Sequence, residues 1–349
     1  MNGETLNERE QLILEAVIRT FVETAEPAGS RTLTRRFGLG LSPATVRNTM
    51  SDLEEKGYLT HPHTSAGRVP TDRAYRLYVN MLLHQPRGVP AEERALRAKL
   101  EEAAGDRSAV EQLVRHAVQA LGLVTQELGI AMSPSLDEAS LERMELIPLS
   151  EGKLLLVLAL RAGGVRTVYV DVPLRVPAGS LVTVEHLLNE RLAGLPLSEI
   201  RATFCERLRD SVPAGDAPAQ ELLNVFLQFA DGWFDAPPAD TVHLGRTSVL
   251  AEQPEFHSGQ RLRSLIELTE QRELLNRLLR ERLGGSGLTI TIGGEHGSPA
   301  LADLTVVTSE YRVGRLKGVI GVIGPTRMPY ERVLALVEST SLLVSEFLA

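Results

Sequence analysis

The 349 residues carry 37 Lys and Arg against 45 Asp and Glu, a formal net charge of −8, with 43% hydrophobic residues and one cysteine. That length exceeds one ordinary core and predicts two or three domains, while the lone Cys205, expected in a partly buried helix, excludes an intrachain disulfide and any multi-cysteine zinc site. No run of 18 apolar residues exists and the acidic start MNGETLNERE lacks a basic leader, so a cytoplasmic protein without a membrane span is expected.

From the N-terminus, Leu6 to Glu23 reads as a helix with Leu14, Val17, Ile18 and Phe21 at helical spacing, ended by Pro27 and Gly29. Ser30 is then expected to cap a short helix, SRTLTRRF. Leu33 and Phe37 take its inner side and leave Arg31, Arg35 and Arg36 exposed. Gly38 to Leu41 form a turn, and Ser42 caps a longer helix with Pro43 at its first position, where a missing N–H costs nothing. Val46, Met50 and Leu53 fall at i, i+4 and i+7 and share a buried face. Ala44, Arg47, Asn48 and Ser51 point the other way, with Thr45 on the flank; Arg and Asn there can read base edges in a major groove.

Gly57 stops this helix, Tyr58 to Thr60 suit a strand, and Val69 suits its return partner across a polar loop holding Pro62 and Gly67. The order helix, short helix, turn, helix, hairpin is that of a winged helix-turn-helix. The hairpin tip offers His63, Thr64, Ser65 and Arg68 to phosphates or a minor groove, and His61 is read the same way. Charge sorts accordingly. Residues 1–30 hold two Arg against six acids, and residues 31–76 hold seven Arg and one Lys against four acids. The remaining −8 lies on residues 86–349, so positive charge is concentrated on the predicted DNA-binding face.

Linker composition follows at Gln85–Pro90, and Ala91 to Gly129 reads as helical with a break near Ala104–Arg107. Met144–Ser150, Lys153–Arg161 and Arg166–Val172 read as an antiparallel meander, with Leu154–Leu160 as a central strand covered on both faces. Helices are expected over Val184–Leu195, Ile200–Leu208, Gln220–Phe234 and Gln260–Leu283. Strands follow at Leu288–Ile292, Leu304–Thr308 and Val319–Ile323, and Tyr330–Phe347 closes the chain as a helix. Sheet, helices, then sheet and a closing helix form one α+β domain with a helical insertion.

Several segments imitate chemical sites. Gly284–Gly287 lacks the spacing of a phosphate loop and precedes a strand, so it reads as a turn. Gly318, Gly321 and Gly324 read as close backbone packing in a strand. Glu295–His296 has no second histidine at metalloprotease spacing, and Thr326, Arg327 and Tyr330 read as capping plus a salt bridge. No nucleophile, base and oxyanion site assemble, so no catalytic residue, cofactor or metal is expected.

The segment SPATVRNTMSDLEEKGYLTHPHTSAGRVPTDRAYRLYV (residues 42–79) resembles the N-terminal signature of the heat-inducible transcription repressor HrcA family. Ile292–Glu295 (IGGE), Asp303–Tyr311 (DLTVVTSEY) and Gly318–Tyr330 (GVIGVIGPTRMPY) resemble that family's closing motifs. Thr49, Ala74 and Pro329 depart from the commoner acidic residue, glycine and aspartate. The resemblance implies a winged helix-turn-helix at residues 1–85 and a GAF-like domain at 86–177 and 241–349. A mainly helical dimerisation domain is then inserted at 178–240. It further implies a homodimer that represses chaperone operons through the CIRCE inverted repeat, lets go on heat stress, and is maintained by a GroEL-type chaperonin. Two alternatives stand beside it. One is a one-component regulator gated by a small molecule in the GAF-like domain; the other is an enzyme fused to a DNA-binding module.

Overall fold

The structure is a computed structural model that describes residues 6–62, 67–85, 88–104, 110–134, 139–150, 152–161, 165–172, 176–209, 211, 215–233, 242–285, 287–314 and 316–348. The N-terminal part comprises α1 (Glu8–Thr24), α2 (Ser30–Phe37), α3 (Pro43–Glu55), β1 (Leu59–Thr60), β2 (Val69–Pro70) and α4 (Asp72–Leu83). Ile13, Val17, Leu33, Val46, Leu53 and Val79 are fully buried and join these helices in one core. Asn7 and Glu10 form a reciprocal capping box at the start of α1. Its end differs from the expectation: Ala25, left-handed at φ 56°, stops the helix before Pro27 is reached. Gly29, not Ser30, is the N-cap of α2, and Ser30 is its buried first residue. The sequence reading passed over α4 altogether.

The chain continues through α5 (Pro90–Ala104), α6 (Val110–Thr125) and β3 (Leu128–Met132). Next come β4 (Leu141–Ser150), β5 (Lys153–Leu160), β6 (Val165–Asp171), α7 (Ala178–Leu192), α8 (Leu197–Leu208) and α9 (Ala217–Trp233). It ends with β7 (Val242–Leu244), α10 (Ser248–Ala251), α11 (Gly259–Glu270), α12 (Arg272–Arg280), β8 (Leu288–Ile292), β9 (Leu304–Val313), β10 (Leu316–Pro325) and α13 (Tyr330–Phe347).

One antiparallel sheet has the order β7-β3-β10-β9-β8. Helices α6 and α13 lie on one face. On the other, Leu265, Leu268, Leu275 and Leu279 of α11 and α12 meet Leu128, Ile130, Val306, Val319 and Ile323. Cover on both faces explains why β3 escaped notice. All five of its residues are buried, so LGIAM shows no alternation and reads as a continuation of α6. The helix expected over residues 260–283 is two helices, parted where Gln271 leaves helical geometry at ψ 67°. The break lets Arg272 donate to the Val242 carbonyl at 2.7 Å.

Met132 of β3 pairs with Val242 of β7, so the chain leaves and re-enters the five-stranded sheet at one point. The described strands between them do not pair with that sheet. The meander β4-β5-β6 forms its own sheet, and its inner residues Met144, Leu146, Leu156, Leu158 and Val170 are buried. Asn189 of α7 bonds the Met144 amide and carbonyl, both at 2.8 Å, and the Leu141 amide donates to the Leu195 carbonyl at 2.9 Å. These bonds tie the meander to the helices that follow it. The burial expected for β5 also differs. Leu154, Leu156, Leu158 and Leu160 are buried, but Leu155, Val157 and Ala159 on the opposite face are only half-buried. Cys205 lies exposed on α8, not partly buried.

Candidate nucleic-acid interface

Helix α3 is built by local signals. The Ser42 hydroxyl accepts from the Thr45 amide at 3.1 Å, Pro43 follows at the first position, and Val46, Thr49, Met50 and Leu53 are buried. Its far end closes in a Schellman arrangement. The Tyr58 amide donates to the Leu53 carbonyl and the Gly57 amide to Glu54, both at 2.9 Å, with Gly57 left-handed at φ 76°. Ala44, Arg47 and Asn48 are left exposed, with Thr45 and Ser51 on the margin.

The two marginal hydroxyls are engaged within the helix. Thr45 Oγ1 lies 2.9 Å from Ser42 Oγ, and Ser51 Oγ donates to the Arg47 carbonyl at 3.3 Å. Arg47 and Asn48 are therefore the foremost groups of that face, while Thr45 and Ser51 fix its backbone.

Most of the positive charge of residues 31–76 is bound inside the protein. Lys56 Nζ contacts both Glu10 oxygens, at 3.0 and 3.1 Å, and so joins the C-terminal end of α3 to the start of α1. Burial raises the Glu10 pKa, but Lys56 and the Asn7 amide outweigh it, so the carboxyl sits below its ordinary range. Arg73 donates to the Lys56 carbonyl at 2.8 Å and lies over the Tyr58 ring, 4.5 Å from its centroid. Arg36 pairs with Glu23, and Arg76 pairs with Glu295. Arg31, Arg35 and Arg47 have no carboxylate partner among the described residues.

The hairpin is anchored to α3 by Glu54, which takes Arg68 Nε at 2.9 Å and the His61 ring nitrogen. Arg68 is consequently only 15% exposed, and its backbone pairs with Ala28 through bonds of 2.9 and 3.0 Å, a single bridge beside the hairpin. His63, Thr64 and Ser65 lie outside the described residues. The roles of Glu10, Glu54 and Arg73 were not read from the sequence, because each partner is remote and no local spacing announces it.

The look-alike segments resolve structurally. Gly284 and Gly287 turn the chain between α12 and β8 with φ values of 86° and 80°. Arg327 pairs with Glu255, as expected at the start of α13, and also donates to the Val22 carbonyl, with Nε–Oε1 and Nη1–O both 2.5 Å, but the expected side-chain cap is replaced by Pro329 at the N-cap. No helix among the described residues is long and apolar enough to cross a membrane.

Comparison with known proteins decides the family. A family model described as the HrcA protein C-terminal domain matches residues 111–334. The heat-inducible transcription repressor HrcA of Geobacter sulfurreducens is 39% identical over 344 residues, covering 98% of each chain. That of Chlorobium phaeobacteroides strain BS1 is 37% identical over 348 residues, covering 95% of each.

The chain belongs to the HrcA family of heat-inducible transcription repressors.

HrcA proteins are transcription repressors and not enzymes. A crystal structure of a hypothetical protein at 2.2 Å resolution shares the HrcA chain's fold, with a TM-score of 0.69 at 23% identity over 99% of each chain. Thr49 is buried and donates to the Thr45 carbonyl at 3.2 Å, an internal helix contact.

Proposed function

We propose that this HrcA-family chain is a homodimer that binds the CIRCE inverted repeat of chaperone operons and releases it on heat stress. In this reading residues 6–85 are a winged helix-turn-helix, with α3 in the major groove and the β1–β2 hairpin as the wing. The observation that carries it is the set of exposed cations without an ion-pair partner among the described residues: Arg47 beside Asn48 on α3, and Arg31 and Arg35 on α2. Arg47 and Asn48 read bases, Thr45 and Ser51 support them, and Arg31, Arg35 and Arg36 hold phosphates. His63, Thr64 and Ser65 supply further contacts at the wing tip, while Arg68 chiefly positions the wing through Glu54.

The five-stranded sheet with α6 and α13 is proposed as a GAF-like domain, and residues 139–233 as the inserted dimerisation domain. Support for the latter is the uncovered face of β4-β5-β6, where Ile147, Leu155 and Tyr169 form one cross-strand row. The family also points to a GroEL-type chaperonin as the partner that maintains the active repressor, in the cytoplasm and at the nucleoid when bound to operator. Substituting Arg47 by Ala should weaken operator binding by about 1–3 kcal/mol and relax selectivity at one base pair. A titration showing unchanged affinity and selectivity would remove α3 from the recognition position.

A second reading, gating by a small molecule, has one observation in its favour. A cleft of about 400 Å³ lies where α1, the hairpin and α4 meet the sheet domain, lined by Phe21, Tyr75, Glu255, Arg261, Asp303 and Arg327 among others. A metabolite that raises the melting temperature and alters operator affinity together would favour it.

A further inference from the structure

The segment Ile292–Glu295 has no part in the recognition helix, yet it is where the DNA-binding part is gripped by the sheet domain. Arg76 of α4 donates through Nε to Glu295 Oε1 at 2.7 Å and through Nη2 to the other carboxylate oxygen, across 219 residues of chain. The same Nη2 donates to the Ile290 carbonyl of β8 at 2.8 Å. One turn earlier on α4, the Asp72 carboxylate accepts the Gly294 N–H at 2.9 Å.

The glycine beneath that carboxylate is required twice over. Gly293 is left-handed at φ 51°, and a Cβ there would lie 2.1 Å from Asp72 Oδ2. Glu295 is itself held in place by accepting the Ile292 amide at 2.8 Å. IGGE is thus a socket: its glycines admit a carboxylate and its glutamate takes an arginine, both from positions i and i+4 of one helix.

Further contacts run along the same joint. Tyr75 packs against the Tyr330 ring with centroids 5.7 Å apart, Tyr78 donates to Glu331 at 3.2 Å, and Arg327 reaches the Val22 carbonyl. Within the DNA-binding part, Arg73 ties α4 to the end of α3, and Lys56 ties that end to α1. The direction of α3 relative to the sheet domain is therefore transmitted through α4.

We propose that the grip of Asp72 and Arg76 on Gly293–Glu295 is a positioning latch that sets the separation and angle of the two recognition helices in the dimer. The latch selects the half-site spacing of the operator and leaves base preference to α3. It rests on the recognition-helix reading given above. Its disruption lowers the effective concentration of the second α3 at the second half-site without touching either protein–DNA contact.

The test is a set of binding titrations on inverted repeats whose spacer changes in single base-pair steps, and on an isolated half-site, with thermal melts in parallel. The unaltered chain should show one sharp spacer optimum. Glu295→Gln should lower affinity at that optimum about tenfold, flatten the spacer profile, and leave half-site affinity and melting temperature in place. Arg76→Gln should do the same, and the double variant should be no worse than either single one, because both remove one coupled pair. An unchanged spacer profile in both variants would overturn the latch, as would a fall in half-site affinity that matches the loss on the full operator. If the unaltered chain bound the isolated half-site with no sequence preference, the recognition-helix reading itself would fail, and the latch with it.

Discussion

Arg35 and Arg36 are neighbours in sequence with different circumstances, and that difference predicts different effects on DNA binding. Arg36 faces Glu23 of α1, so moving it to a phosphate first requires breaking an ion pair. Arg35 is exposed and has no carboxylate partner among the described residues. Replacing Arg35 by Ala should weaken binding to all sequences alike and flatten the logarithmic salt dependence by about one unit. Replacing Arg36 should change that slope less, because its contribution is already divided with Glu23. Slopes measured over a salt series decide the matter; equal slopes for the two variants would mean that the Glu23 pair opens on DNA. At this scale residue types were legible in the sequence but their commitments were not. Lys56, Arg68 and Arg76 look as available as Arg47 until their partners Glu10, Glu54 and Glu295 are brought to them by the fold.

Elements were legible in proportion to how local their causes are. Helix α3 was read with its cap, its proline and its terminal glycine because all three act within one turn of the helix end. Strand β3 was missed because a strand covered on both faces has no polar alternation, and β7 is three residues long. The separation of the meander from the five-stranded sheet was not read, because the pairing of Met132 with Val242 joins residues that no local pattern connects. The bond between Glu10 and Lys56 is likewise nonlocal, and it gives the α1–α3 pair a pH dependence. A carboxyl whose pKa is lowered in the fold stabilises it above the unfolded carboxylate range, and that stability is lost as pH falls through the folded value. Unfolding by denaturant across about pH 7 to pH 3 should therefore show stability falling on the acid side. Lys56→Ala should cost about 1–3 kcal/mol near neutral pH, because it leaves a buried carboxylate without its cation, and should flatten the acid limb. An acid limb unchanged in that variant would assign the pH dependence to other carboxyl groups.

For the whole molecule, a net charge of −8 means that most of the chain repels DNA, so in the proposed reading a single module, with three arginines that have no carboxylate partner among the described residues, binds weakly. Under the proposed reading two modules on a twofold axis bind the same repeat cooperatively, and the contact between copies is then as consequential as α3. Exposed apolar residues such as Leu123, Val182 and Leu342 stand on separate helices, and scattered exposure of that kind is ordinary. The outer face of β4-β5-β6 is different. Ile147 (41% exposed), Leu155 and Tyr169 (76%) sit side by side across three strands, with Val157 one row away and Val165 (67%) beyond it. The row is flanked by Glu145 and Thr167 on one side and Lys153 and Asp171 on the other, and under the proposed reading a second copy covers it, with the twofold symmetry that an inverted repeat demands. Tyr169→Glu places a charge at the β6 end of that row, on a side chain 76% exposed, so no packing argument predicts misfolding of the protomer. Light scattering should then report a monomer, and operator affinity should fall by about 10²- to 10⁴-fold, toward that of an isolated half-site, as the second contact becomes independent of the first. Half-site affinity itself should stay as it was, because α3 is untouched. A dimer that survives the substitution with full operator affinity would move the interface away from this sheet and onto the sheet domain.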